Sequence, residues 1–292
     1  MSRYPDWNSD GADWPNRETS RFVRAGGYEW HVQQAGSGPV CLMLHGTGAA
    51  THSWRDLMPL LAFHYTVVTL DLPGHGFTKS VVGGKVSLDG MATSISELLE
   101  HIGLKPDLIV GHSAGVAIGA RLLMDRGWTI PLIGLTPALM PFPGLAARLF
   151  PQLAKMLFTN PFVAIIFSRM AQAPGQTAKF LARATGSKID AAGDRFYTRL
   201  FSKSGHCDGA IRMMANWRLE NLRDQLPKLS SPTLLIRASQ DAAIPKTAVE
   251  DAAALIPNCS LEVIEKLGHL AHEEQPKQVA DSIVQFAKLQ GI

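Results

Sequence analysis

Asp107-Leu108-Ile109-Val110-Gly111-His112-Ser113-Ala114-Gly115 is the stretch on which the reading of this chain turns. The residues up to Val110 are a short apolar run of the kind that forms a buried strand, and residues 116–124 have the composition of a helix. Between them, Gly111-x-Ser113-x-Gly115 places a serine on a sharp strand-to-helix turn that lifts its hydroxyl above the sheet edge. Both glycines are required because a side chain at either position would collide with neighbouring backbone. The turn ends at a helix N-terminus, where developing negative charge is favoured. Small residues cluster by chance, so the pattern alone is weak. The strand before it and the helix after it give it weight.

Outward from this turn, strands and helices alternate. That argues for an α/β fold with a mainly parallel central sheet. Residues 22–25 and 28–35 flank Gly26-Gly27 and read as an opening hairpin. Residues 40–44 form a buried strand ending at His45-Gly46, and residues 53–63 read as a helix. Residues 66–70 are the next strand, followed by Asp71-Leu72-Pro73-Gly74-His75-Gly76. A helix over 91–102 stops before Gly103, and residues 130–135 are another strand. After an interruption the alternation resumes with a strand over 232–238, a helix over 246–255, a strand over 260–265 and a helix over 276–289.

The interruption, residues 138–217, has no convincing strand. Prolines 141, 143, 151, 161 and 174 divide it into short helical pieces. It reads as a helical cap inserted into a core made of residues 1–137 and 218–292. It contains ten Lys or Arg against three Asp, an excess of seven positive charges, which leaves the rest of the chain near −4. It is also rich in Leu, Phe and Met, among them Leu149, Phe150, Met156, Phe158, Phe162, Phe167 and Met170.

A serine hydroxyl is a poor nucleophile without a general base. In a fold of this kind the partners follow in the order Ser, Asp or Glu, then His. Asp241 lies just past the strand over 232–238, and His269 just past the strand over 260–265. Both sit at C-terminal strand edges, where Ser113 also sits and where sites form in open α/β sheets. His269 is then the base for Ser113, and Asp241 orients its imidazole. The backbone N–H groups of Ala114 and Thr47, the latter in the loop His45-Gly46-Thr47-Gly48, are the expected oxyanion donors. His272 is the rival base and Asp251 the rival acid. His269 is preferred because it directly follows Gly268 at the strand end, and Asp251 falls on a helix. His45 and His112 read as loop supports. Asp71 and His75 read as a tight turn near the site floor rather than a catalytic or metal pair. No His/Cys/Asp/Glu spacing suggests a metal.

Bulk properties narrow the class. The chain has 292 residues and a net charge of +3, too small to argue for nucleic acid. The polar N-terminus lacks an apolar signal core, which gives a cytoplasmic expectation. Cys41, Cys207 and Cys259 are widely separated, so a disulfide framework is not expected, and Cys41 reads as a small core residue.

With His45-Gly46, Asp71-x-Pro73-Gly74-His75-Gly76, Gly111-x-Ser113-x-Gly115, Asp241 and Gly268-His269 in this order, the chain resembles the α/β-hydrolase superfamily from Phe22 to its end, the cap excepted. A narrower resemblance rests on Asp13-Trp14-Pro15-Asn16-Arg17-Glu18, Ser20-Arg21-Phe22-Val23, Trp30-His31-Val32-Gln33 and the run from His45-Gly46-Thr47-Gly48 to Trp54-Arg55-Asp56. These are similar to the BchO family, α/β-hydrolase-fold proteins known as magnesium-chelatase accessory proteins of bacteriochlorophyll biosynthesis. That resemblance implies a role near magnesium insertion into protoporphyrin IX.

The expectation is therefore a serine hydrolase that cleaves a carboxylic ester without a cofactor, on an apolar or tetrapyrrole substrate. The rival expectation is a non-catalytic carrier of porphyrin for magnesium chelatase, with chelatase subunits as partners. C–C bond hydrolysis or perhydrolysis on the same triad stays open. For the cap, the plain reading is apolar faces packed on the core and basic faces in water. The functional readings are a cationic rim for tetrapyrrole propionates, or peripheral contact with an anionic membrane. Residues 158–170 are too short and too interrupted to span a bilayer.

Overall fold

A computed structural model describes residues 2–81, 85–141 and 161–292. Strands β1 (Ser20–Ala25) and β2 (Tyr28–Ala35) form the opening hairpin. Gly26 and Gly27 turn it with φ of 55° and 79°, a region that glycine enters without steric cost. There follow β3 (Val40–Leu44), α1 (Leu57–Leu61), β4 (Thr66–Leu70), β5 (Lys79–Ser80), α2 (Leu88–His101), β6 (Leu108–His112), α3 (Ala114–Arg126) and β7 (Leu132–Leu135). A helical run comes next: α4 (Pro161–Ala171), α5 (Gln176–Thr185), α6 (Ala191–Phe201), α7 (Ser204–Ala215) and α8 (Glu220–Gln225). The chain closes with β8 (Thr233–Ala238), α9 (Lys246–Leu255), β9 (Cys259–Ile264), α10 (Ala271–Glu274) and α11 (Pro276–Leu289).

The sheet order is β1-β2-β4-β3-β6-β7-β8-β9, with the two-residue β5 beside β2. Pairing is parallel from β4 to β9 and antiparallel among β1, β2, β4 and β5. The central strands are mostly apolar because helices cover both faces. Along β3, Leu42 and Leu44 join one core with α2 and α3, while Cys41 and Met43 join the other with α1 and α11. This is the two-residue period of a strand read from its two sides. The register places Leu44 beside Gly111, Gly111 beside Gly134, and Leu135 beside Ile236. The C-terminal ends of β3, β6, β7 and β8 therefore share one edge, and the site loops leave from it.

Two local differences from the sequence reading have simple causes. The helix expected over 53–63 breaks into a 3₁₀ turn, Thr51–Trp54, and the short α1. Pro59 has no N–H to continue an α-helix begun at residue 53. Helix α2 starts earlier than expected because Ser87 caps it, its hydroxyl accepting from Gly90 N–H at 3.2 Å.

Between β7 and β8 the described residues hold helices and no strand. Residues 142–160, including Arg148, Lys155 and the apolar positions 149–158, lie outside the described residues. Among the described residues no helix is long and apolar enough to cross a membrane.

Candidate active site

Ser113 is the pivot between β6 and α3. It holds φ 51° and ψ −116°, a conformation that side-chain-bearing residues rarely adopt. The surroundings leave it no alternative. A Cβ on Gly115 would stand 2.0 Å from Leu44 O, and one on Gly111 would stand 2.6 Å from Val116 N. Ser113 N–H donates to Leu135 O at 2.9 Å, which ties the turn to the end of β7. Among the described residues the Ser113 hydroxyl makes no hydrogen bond.

His269 and Asp241 meet as expected. His269 Nδ1 lies 2.8 Å from Asp241 Oδ2, and their side chains are 8% and 3% exposed. The other carboxylate oxygen accepts from Ala243 N–H at 2.7 Å and Ile244 N–H at 2.9 Å. Asp241 is thus fixed by its own loop before it contacts the imidazole. With the Nδ1 proton directed at the carboxylate, Nε2 is left as the basic nitrogen.

The His269 backbone is pinned from three sides. Its N–H donates to Thr185 O at 2.8 Å, and its carbonyl accepts from Thr136 Oγ1 at 2.9 Å and from His112 Nε2 at 3.0 Å. His112 is the residue directly before Ser113, so the serine turn and the histidine loop are joined side by side. The His112 and His269 rings stand 4.8 Å apart.

The loop after β3 borders the same spot. A Cβ on Gly46 would come within 3.0 Å of Ser113 Cβ. Leu72 N–H donates to His45 Nε2 at 2.9 Å, so the ring proton is on Nδ1, which donates to Gly46 O at 2.8 Å. In a trans peptide the carbonyl and the following N–H point in opposite directions. Thr47 N–H is therefore turned away from the His45 ring. Among the described residues neither Thr47 N–H nor Ala114 N–H has a hydrogen-bond partner.

A model of the alpha/beta hydrolase family matches residues 41–282. The chain belongs to the α/β-hydrolase family. It is 40% identical over 265 residues to the magnesium-chelatase 30 kDa subunit of Rhodobacter capsulatus, across 90% of this chain and 92% of that protein. It is 28% identical over 286 residues to 2-hydroxy-6-oxononadienedioate/2-hydroxy-6-oxononatrienedioate hydrolase 2 of Pseudomonas putida, across 92% and 96% of the two chains. Among solved structures, an esterase from Exiguobacterium antarcticum superposes with a TM-score of 0.75 at 21% identity, over 91% of this chain and 98% of that one, a likeness of fold.

Within this hydrolase fold the rival residues are placed elsewhere. His272 is fully buried against His112 and Trp54, with ring centroids at 4.4 and 4.8 Å, and burial pushes it down to about 3. Among the described residues it has no carboxylate within hydrogen-bond distance, Glu273 Oε1 being 3.9 Å away. Asp251 is exposed on α9. Asp71 is a buried anchor for loops: it accepts from His31 Nδ1 at 2.8 Å, Thr51 N–H at 2.7 Å and Phe77 N–H at 2.8 Å. Burial works to raise its carboxyl, but His31 and these donors hold it well below the usual carboxylate range. Among the described residues no group of three or more His, Cys, Asp or Glu is arranged to hold a metal.

The sequence reading missed what the helical segment and the N-terminus supply. Ser187 Oγ accepts from Leu270 N–H at 2.8 Å, so the end of α5 braces the His269 loop along with the Thr185 carbonyl. Arg55 bonds Glu273, which also accepts from Tyr197 OH of α6 at 2.8 Å. Nor is the basic character of the helical segment all left to solvent or a ligand. Arg199 and Arg195 pair with Asp13, Lys203 with Asp10, and Arg212 with Asp208. Nothing in the local sequence pattern around Asp10 and Asp13 points to these partners.

Proposed function

We propose that this α/β-hydrolase is a serine hydrolase that cleaves a carboxylic ester through an acyl-Ser113 intermediate. The observation that supports it most is the His269–Asp241 pair at 2.8 Å, held on the loop that His112 joins to the Ser113 turn. In this reading His269 Nε2 takes the Ser113 proton as Oγ attacks the ester carbonyl. The oxyanion is received by Thr47 and Ala114 N–H, each such donor being worth ~10²–10³ in kcat. His269 returns the proton to the leaving alkoxide, and a water activated by the same nitrogen releases the acid. The positive charge on the imidazole is balanced by Asp241. No cofactor takes part.

Residues 138–217 act in this proposal as a cap over the site. The similarity to the magnesium-chelatase 30 kDa subunit supports a role near magnesium insertion in bacteriochlorophyll synthesis, on a tetrapyrrole ester or a related apolar substrate. A cytoplasmic location, chelatase subunits as partners and peripheral membrane contact through the cap belong to the same proposal.

That similarity also favours a second reading, a porphyrin-handling accessory that does not use the triad. Labelling of the purified protein with a fluorophosphonate, with Ser113→Ala as control, tests the first reading. Labelling of the parent alone supports it. A folded parent that stays unlabelled moves the function to the accessory role.

A further inference from the structure

We propose that the groove between α4 and α5 is a binding site for a small apolar molecule carrying carboxylate. The groove encloses about 610 Å³, within the ~300–1,000 Å³ typical of small-molecule pockets. Phe167, Phe180 and Phe201 line it, with their rings edge to face and centroids 5.3 to 6.0 Å apart. Such a cluster offers ring faces and edges to another flat apolar body. Met170 adds a deformable wall. Met170 is 61% exposed and Phe180 44%, apolar surface that packing on the core alone would have covered.

The charge at this groove differs from that on the neighbouring helices. Lys179 and Arg183 line it, one helical turn apart on the same face of α5. Both are exposed, and among the described residues neither forms an ion pair. Arg195, Arg199, Lys203 and Arg212, on α6 and α7 and the turn between them, are each matched by a carboxylate of this chain. Those of the groove are left for an anion from outside. Its aromatic wall is three rings packed edge to face, with Lys179 and Arg183 among the lining residues, a local arrangement that suits a small molecule better than a bilayer surface. Its floor also borders the site: a Cβ on Gly48, next to Thr47, would stand 3.6 Å from the Phe201 ring. Binding here does not require Ser113 to react, so it stands apart from the hydrolase reading.

The test is fluorescence titration of the full chain with pyrene-1-butyrate and, in parallel, with the neutral pyrene-1-butanol. The acid is expected to bind about tenfold more tightly than the alcohol. The exposed pair Lys179→Met and Arg183→Met, made together, is expected to abolish that preference and leave alcohol binding unchanged. Ser113→Ala is expected to bind the acid as the parent does, so a failed labelling experiment and a failed groove are read separately. Equal binding of acid and alcohol, or a preference that survives the double substitution, overturns the proposal. So does binding of the parent to phosphatidylglycerol vesicles with no binding of the pyrene acid.

Discussion

Arg199 holds Asp13 through both terminal nitrogens, at 2.5 and 3.2 Å, and the same guanidinium reaches the Asp10 carbonyl at 2.5 Å. The contact joins residues 186 positions apart in sequence, linking the N-terminal arm to α6. Trp14 completes the junction, its indole N–H donating to Thr51 Oγ1 at 2.9 Å while its ring packs on Phe77 and Phe196. The Arg199 hydrogen bond lowers the Asp13 carboxyl below its ordinary value, against the opposing effect of burial. With the folded value depressed, the contribution is present above the ordinary carboxylate range and is lost as pH falls through the folded value.

Asp13 is half exposed, so the pair is worth about 0.2–1 kcal/mol. Asp13→Ala is expected to lower Tm by about 0.3–2 °C at low salt, and by less in high salt. A double-mutant cycle with Arg199→Ala measures the coupling. Fully additive single effects would show that the two side chains do not support each other.

Asp241→Asn is a sharper test of the site than removal of the carboxylate. The N–H groups of Ala243 and Ile244 both point at Oδ1 and demand an acceptor there. They orient the new amide with its NH₂ towards His269. Nδ1 must then accept, the ring proton moves to Nε2, and the base is lost. Fluorophosphonate labelling is expected to slow by roughly 10⁴, with the fold intact by circular dichroism. Labelling at the parent rate would remove Asp241 from the mechanism.

Thr136 holds the carbonyl of His269 from a backbone position with φ 43°, which is costly for a β-branched residue. Thr136→Val keeps the shape and removes the donor, while Thr136→Ser keeps the donor. The valine variant is expected to lose about 1 kcal/mol of stability and to label more slowly than the serine variant. If both label alike, the hydroxyl plays no part in placing the base.

The sheet and the Ser113 turn were legible because their signals are local. An apolar run with helices on both sides reads as a buried parallel strand. Gly111 is dictated within a few residues, by the 2.6 Å approach to Val116 N, while Gly115 is dictated by the neighbouring strand, at 2.0 Å from Leu44 O. The meeting of Asp241 with His269 is legible for a related reason: each is the loop residue after a readable strand. The supports of the site were not legible. That Thr185 O receives His269 N–H depends on where α5 ends in space, and no periodicity encodes it. The same holds for Arg55 with Glu273 and for Asp13 with Arg199, each separated by more than 180 residues. The charge count of residues 138–217 gives their basic excess but does not match those cations to carboxylates elsewhere in the chain.

The buried histidines give the protein an acid limit that the charge balance does not suggest. His45, His52, His75, His112, His206 and His272 are all held below the ordinary histidine value by burial. His206, for example, is pushed down to about 4, its ring accepting from Gly76 N–H and donating to Gly48 O, both at 3.0 Å. In the unfolded chain these groups take up protons near the ordinary value of 6.5. Below that pH the unfolded state binds more protons than the fold, so stability falls as pH falls. Each histidine contributes a slope approaching ~1.4 kcal/mol per pH unit until its folded value is reached. Tm is therefore expected to drop steeply between pH 6.5 and 5, over a range in which most carboxylates stay ionised. His206→Gln, which retains a donor and an acceptor, is expected to make that slope shallower by about one proton. A Tm that stays level from pH 7 to 5 would mean that these rings are already charged in the fold or reach water. That outcome would contradict the burial of these six rings.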